Sequence, residues 1–190
     1  MKDRLLKLTQ HEYTPKQRLI LLFFAGIVFL ILIPTALVSV SPLLDQALHL
    51  PRLVLQPVNW LLGLLFILAG LSLGLWANQV QFDIGRGTPV PVMATQKLIV
   101  QPPYSYCRNP MALGAIALYL GIAIWVGSLS ALGMVLLFAI CLLVYIRLLE
   151  EKEMELRFGA DYLEYRRQTP FLFPRFRSSR AQRKEPNHEA

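Results

Sequence analysis

The chain has 190 residues, 55% of them apolar, and a formal charge of +7. Its charged residues lie at the ends and in the connections, and the long uncharged runs between them exclude a soluble domain and leave a helical membrane protein. The excess of basic residues follows those runs and forms no continuous patch, which argues against a nucleic-acid partner.

In chain order, residues 1–18 form a polar, basic segment with Leu5, Leu6 and Leu8 interleaved, suited to lying on a membrane surface. Leu19–Val40 carries no charge and is read as the first span; it is too long for a signal-peptide core and lacks a small-residue cleavage site. Pro34 is expected to kink it. Ser41–Arg52, with two prolines and Asp45, reads as a loop. The second span runs from about Val54 to Ala77, with Trp60 and Trp76 near its ends, and Gly70 and Gly74 four apart permit close helix contact.

Asn78–Gln101 is the longest mixed connection. Its Gly85–Pro91 stretch is either a linker or a lid; it lacks the third glycine of a dinucleotide fingerprint and the lysine of a phosphate loop. In Pro102–Gly114, Pro102 and Pro103 favour an extended approach, and Asn109-Pro110 has the chemistry of a helix start with Asn109 as cap. Arg108 beside that helix start either marks a membrane boundary or, with the positive helix end, makes an anion site.

Met111–Ile146 is 36 residues without a charge, too long for one span and long enough for two, with Gly127-Ser128 at the turn. The spans Pro110–Val126 and Leu129–Leu149 would be about 25 and 31 Å long and form a tight hairpin. That hairpin brings Tyr104–Asn109 beside Arg147, Glu150 and Glu151. Arg147 lies three and four residues before the two acids, so either pair can meet on one helix face. Paired carboxylates next to an anion site suit a zwitterion with an additional positive charge, such as S-adenosylmethionine. Beyond them, Gly159 is expected to end or bend the helix, with Phe158, Tyr162 and Tyr165 as a packing stripe. Residues 177–190 read as a disordered basic tail.

Five basic residues precede the first span, only Arg52 lies in the first loop, three lie in the second, and ten follow from Arg147 to Lys184. This pattern places both termini and the second loop in the cytoplasm. Cys141 reads as a small packing residue, and Cys107 beside Arg108 as a thiol of lowered pKa. The three histidines are scattered, so no metal is expected.

Pro103-Tyr104, Arg108-Asn109-Pro110-Met111 and Leu113-Gly114, followed by Glu150-Glu151, Leu156, Phe158-Gly159, Tyr162 and Tyr165, resemble the two motifs of the isoprenylcysteine carboxyl methyltransferase family, whose wider group includes membrane phospholipid methyltransferases. The resemblance covers about residues 78–175 and implies an all-α membrane fold with a cytoplasmic cofactor site, within a core expected over residues 78–176. It implies that Tyr104, Arg108, Asn109, Pro110, Glu150 and Glu151 bind or shape the site for S-adenosylmethionine, and that Arg147 contacts a lipophilic substrate. It also implies the inner membrane of a bacterium. Pro102 and Ala112 depart from the family's usual glycine and tyrosine. The acceptor stays open: a prenylcysteine-type carboxylate or a small hydrophobic acid needs no base, whereas a phospholipid amine or a thiol does, with Glu150, Glu151 or a tyrosine as candidates. The alternatives are an NADPH-dependent membrane reductase of related architecture and a non-catalytic member of the fold.

Overall fold

The computed structural model describes residues 14–53, 56–85 and 95–174. The surface segment before Thr14, most of the Gly85–Pro91 stretch and the basic tail lie outside them. The described residues are helical with no strand: α1 (Pro15–Ile27), a π turn (Val28–Leu32), α2 (Ile33–Ala47), α3 (Val58–Asp83), α4 (Pro110–Val126), α5 (Leu129–Tyr145), a second π turn (Ile146–Glu150) and α6 (Glu151–Gln168). Three continuous helices, Lys16–Ala47, Val58–Asp83 and Leu129–Gln168, are long and apolar enough to cross a membrane; α4, of 17 residues, is shorter. Most of their large apolar side chains face outward, as a lipid environment requires.

α1 begins before the uncharged run because Thr14 and Gln17 form a reciprocal cap, with Pro15 in the first turn. Arg18 then donates to the Phe82 carbonyl at 3.2 Å and lies over the Phe82 ring. This places a cation at the carbonyl end of α3 and ties the two helices at one membrane face.

Pro34 acts through the π turn that precedes it. In that register the Ile33 N–H bonds the Val28 carbonyl. The next bond would run from residue 34 to Phe29, but proline has no N–H. The hydroxyl of Tyr119, from α4, donates to the Phe29 carbonyl at 2.9 Å instead. Tyr119 is 1% exposed, so this bond replaces what water cannot supply there. Tyr119→Phe should therefore destabilise the protein by about 1–3 kcal/mol. Thermal unfolding in detergent checks this; an unchanged midpoint would show that the carbonyl finds another donor.

The expected loop from Ser41 is helix as far as Ala47, with Pro42 inside it. The Ser41 hydroxyl turns back to the Leu37 carbonyl, and Asp45 accepts from the Ser130 N–H at 2.8 Å. With Ser128 capping the Ala131 N–H, two oxygen acceptors hold the start of α5. Pairing with the start of a second helix, not local propensity alone, thus keeps this stretch helical.

The closest helix contact is between α3 and α4. Gly63 and Gly70 face Gly121 and Gly114, so that an added Cβ at Gly63 would lie 2.9 Å from the Gly121 carbonyl oxygen, and one at Gly70 would lie 2.6 Å from that of Gly114. Backbones approach where side chains are missing, the usual basis of helix association in lipid. Gly127, with φ +70°, makes the turn into α5, and its carbonyl accepts from the Leu53 N–H. Cys141, expected to pack inside, is exposed on the outer face of α5.

Candidate active site

A cavity of about 350 Å³ opens among α1 and the π turn after it, α3, α4, α5 and α6, within the ~300–1,000 Å³ of small-molecule sites. Leu22, Gly26 and Phe29 from the first helix and Gly70, Leu71 and Gly74 from α3 make its apolar walls. Asn78, Tyr104, Arg108, Glu150, Glu151 and Tyr162 surround its polar end.

The polar end is built by the segment before α4. This segment is a series of turns, not the extended approach expected from its prolines: the Pro102–Pro103 peptide is cis, and the Ser105 and Tyr106 N–H groups bond the Gln101 and Pro103 carbonyls. Asn109 sits at the start of α4, but its side chain does not cap the helix. Its amide donates to the Phe171 carbonyl at 2.9 Å, while the Arg108 N–H bonds the Pro170 carbonyl. The chain beyond α6 is thereby fastened over the site. The Tyr165 hydroxyl donates to the Tyr104 carbonyl at 2.7 Å, and the Tyr104 hydroxyl reaches Gln81 and the Ala77 carbonyl of α3.

Arg108 Nη1 lies 2.7 Å from Glu151 Oε1, with both side chains 8% exposed. The pair is close but out of line for a hydrogen bond: Arg108 Nε and Nη1 and Glu151 Oε1 have no hydrogen-bond partner. Asn78 Oδ1 is buried without one as well. Tyr162 faces the same pair. Desolvation pushes the phenols of Tyr104, Tyr162 and Tyr165 up. Glu150, one residue past the apolar stretch, is pushed up to about 7 by burial and by the Glu153 charge. The Cys107 thiol is 1% exposed and is likewise pushed up by burial, opposite to the lowering expected from its arginine neighbour.

Of the residues singled out in the sequence, Tyr104, Arg108, Asn109, Glu150 and Glu151 line this one cavity. Pro110 is buried at the head of α4 behind it. Arg147 is exposed and does not line the cavity; it lies over the Phe171 ring at 5.4 Å, with Arg108 over the same ring at 5.6 Å. It also pairs with neither Glu150 nor Glu151. The stretch Ile146–Glu150 is a π turn, in which residues three and four apart no longer stack as they do on an ordinary helix face. Tyr162 and Tyr165, read as a packing stripe, are buried against the cavity. Gly159 does break the helix, with φ 52° and ψ −123°. Asn78 was not legible in the sequence, where it ends an apolar run like any boundary residue.

The cavity inside this helical membrane protein, closed at one end by a buried arginine–carboxylate pair with unmet polar atoms, has room for a small molecule with a charged end and an apolar one. The sequence model of the phospholipid methyltransferase family matches residues 58–161, more than half of the chain, and the chain belongs to that family, within the isoprenylcysteine carboxyl methyltransferase-like group. It is accordingly a membrane methyltransferase. No curated protein matches the chain significantly.

Proposed function

We propose that this protein transfers a methyl group from S-adenosylmethionine to a lipophilic acceptor drawn from the bilayer. The observation that supports this best is the buried Arg108–Glu151 pair, whose unmet donors and acceptor lie at the polar end of a cavity with apolar walls. Such atoms suit a ligand bearing both charges, because each sign then meets its opposite out of water.

Arg108 and the uncapped start of α4 would hold the cofactor's carboxylate, and Glu151 its cationic side. Tyr104, Asn109, Tyr162 and Tyr165 keep this end in shape and fasten the chain over it. When bound, S-adenosylmethionine supplies a methyl group already activated by its sulfonium. The chain's own residues are then left to exclude water and to align the acceptor. Arg147 steadies Phe171 over Arg108. Residues 78–176 would form the catalytic core, with the first two spans as its apolar wall. At about 1.5 Å per residue α4 reaches roughly 25 Å, which makes it a short fourth span. The basic segments place the site at the cytoplasmic face.

Calorimetry of purified protein with S-adenosylmethionine tests this. The wild type should bind, and Glu151→Ala and Arg108→Ala should bind at least tenfold more weakly. Absence of binding to folded wild type, or binding of NADPH in its place, would overturn the reading.

A further inference from the structure

α1 is tied to the other helices at two points. Arg18, in its first turn, donates to the Phe82 carbonyl at the end of α3. Just past its last residue, the Phe29 carbonyl accepts from Tyr119 of α4. The two ties are roughly 16 Å apart at about 1.5 Å per residue. Between them α1 packs closely along neither α3 nor α4, whereas α3 and α4 touch backbone to backbone. Leu22 and Gly26 of α1 and Gly74 of α3 line the cavity over this interval. Leu30, from the π turn, and Leu75, from α3, line it too and are exposed on the outer surface. The cavity therefore opens sideways, between α1 and α3, toward lipid.

The Arg18 tie joins the start of α1 to the end of α3, so the two helices run antiparallel. Gly26 lies eight residues after Arg18 and Gly74 eight before Phe82, which puts both glycines at one depth, roughly 12 Å below the tie. An added Cβ at either meets nothing within 4 Å. Gly63, Gly70, Gly114 and Gly121 differ: their missing side chains let α3 and α4 touch. Neither Gly26 nor Gly74 has the left-handed backbone that calls for glycine. Glycine also weakens a helix interior relative to alanine. What this pair supplies is open space at one level of the cavity. Asn78 follows Gly74 by four residues on the same face of α3, and its buried Oδ1 has no partner. The open level thus lies about one helical turn deeper than the polar end.

Resting on the function proposed above, we propose that the acceptor is held by one hydrocarbon chain lying between α1 and α3 at Gly26 and Gly74, and that Gly26 is a specificity-determining residue that admits methyl-branched chains as well as straight ones. The whole cavity measures about 350 Å³, near the lower end of small-molecule sites, and its polar end is taken by the cofactor. One chain therefore enters, and any second chain of the same molecule stays in the bilayer. A methyl branch at this level occupies the space that a side chain on Gly26 would fill, so the two exclude each other. α1 lies outside the residues that the family model matches, so this selection is a property of the chain's own first helix.

Photoreactive analogues of dodecanol and farnesol, each with a diazirine on the chain, test this on the full protein in phosphatidylcholine nanodiscs. The two probes have backbones of equal length, differ in methyl branching and carry no charge. In the wild type both should label peptides around Gly26 and Gly74. Gly26→Ala should lower farnesol labelling there by about tenfold and leave dodecanol labelling within about twofold. Gly26→Leu should lower both by about tenfold or more. Gly133→Leu is the control: an added Cβ at Gly133 also meets nothing within 4 Å, but Gly133 does not line the cavity, so neither probe should respond. Calorimetry should give S-adenosylmethionine affinities within about twofold of wild type in all three variants. Labelling that spreads evenly over the outer surface and ignores Gly26→Leu would overturn the proposal. An equal response of the two probes to Gly26→Ala would remove the selection by branching. Weakened cofactor binding in Gly26→Leu would give this space to the cofactor and overturn the proposal as well. Wild type that binds no S-adenosylmethionine yet shows the expected labelling would overturn the methyltransferase reading and leave the chain slot in place.

Discussion

Glu151→Ala should destabilise the protein by about 3–5 kcal/mol and remove cofactor binding, the largest effect expected of any substitution in the site. Glu151 is 6% exposed, and its carboxylate is the counter-charge of Arg108 at 2.7 Å. Taking it away leaves a guanidinium in a closed site, with Phe171 on one side and apolar helix on the other. Arg108→Ala should be equally harmful by the reverse argument. The double substitution Arg108→Ala/Glu151→Ala should recover much of the stability, because neither charge is then stranded, but none of the binding. Thermal unfolding in detergent and calorimetry on all three variants separate the two effects. Additive losses of stability in the double variant would mean that the pair is not coupled and that each residue is held by something else.

The second large effect is expected far from the polar groups. Gly70→Ala places a Cβ 2.6 Å from the Gly114 carbonyl oxygen and even closer to the backbone of Leu118. Backbone atoms in two packed helices cannot step aside as a flexible side chain can, so α3 and α4 must separate. A loss of about 3 kcal/mol follows, with a larger one for Gly70→Val. Because α3 carries Asn78 and α4 starts at the Arg108 segment, separation also moves opposite walls of the cavity. Gly26→Ala is the control: an added Cβ there meets nothing within 4 Å, and its unfolding temperature should stay near wild type. If Gly70→Ala unfolds at the wild-type temperature, the close approach of the two helices is not a source of stability.

The family match begins at Val58, so α1 and α2 lie outside it, yet α1 and the π turn after it supply Leu22, Gly26 and Phe29 to the cavity wall. Part of the apolar wall thus comes from outside the matched region. Variation in α1 can change what the cavity admits without touching the Arg108–Glu151 pair.

Length and order of uncharged residues determine much of this protein on their own. A helix that crosses lipid must satisfy its backbone internally and bury no unpaired charge, so runs such as Met111–Ile146 declare themselves locally. Pro110 marks the start of α4 and Gly127 the turn after it, again for local reasons: a missing N–H at one end and a left-handed backbone at the other. Arg108, Glu150 and Glu151 stand out because few charges occur near such runs. The tertiary structure decided how those residues are paired. Arg147 was within helical reach of both acids, but the π turn at Ile146–Glu150, which contains neither proline nor glycine to announce it, turns them away. Asn109 has a capping side chain, but the Phe171 carbonyl claims it. Pro34 does announce a break, yet the donor that completes it is Tyr119, 90 residues beyond the Phe29 carbonyl it bonds. Each of these contacts depends on the position of a second helix, and the order of residues along one helix carries no record of that position.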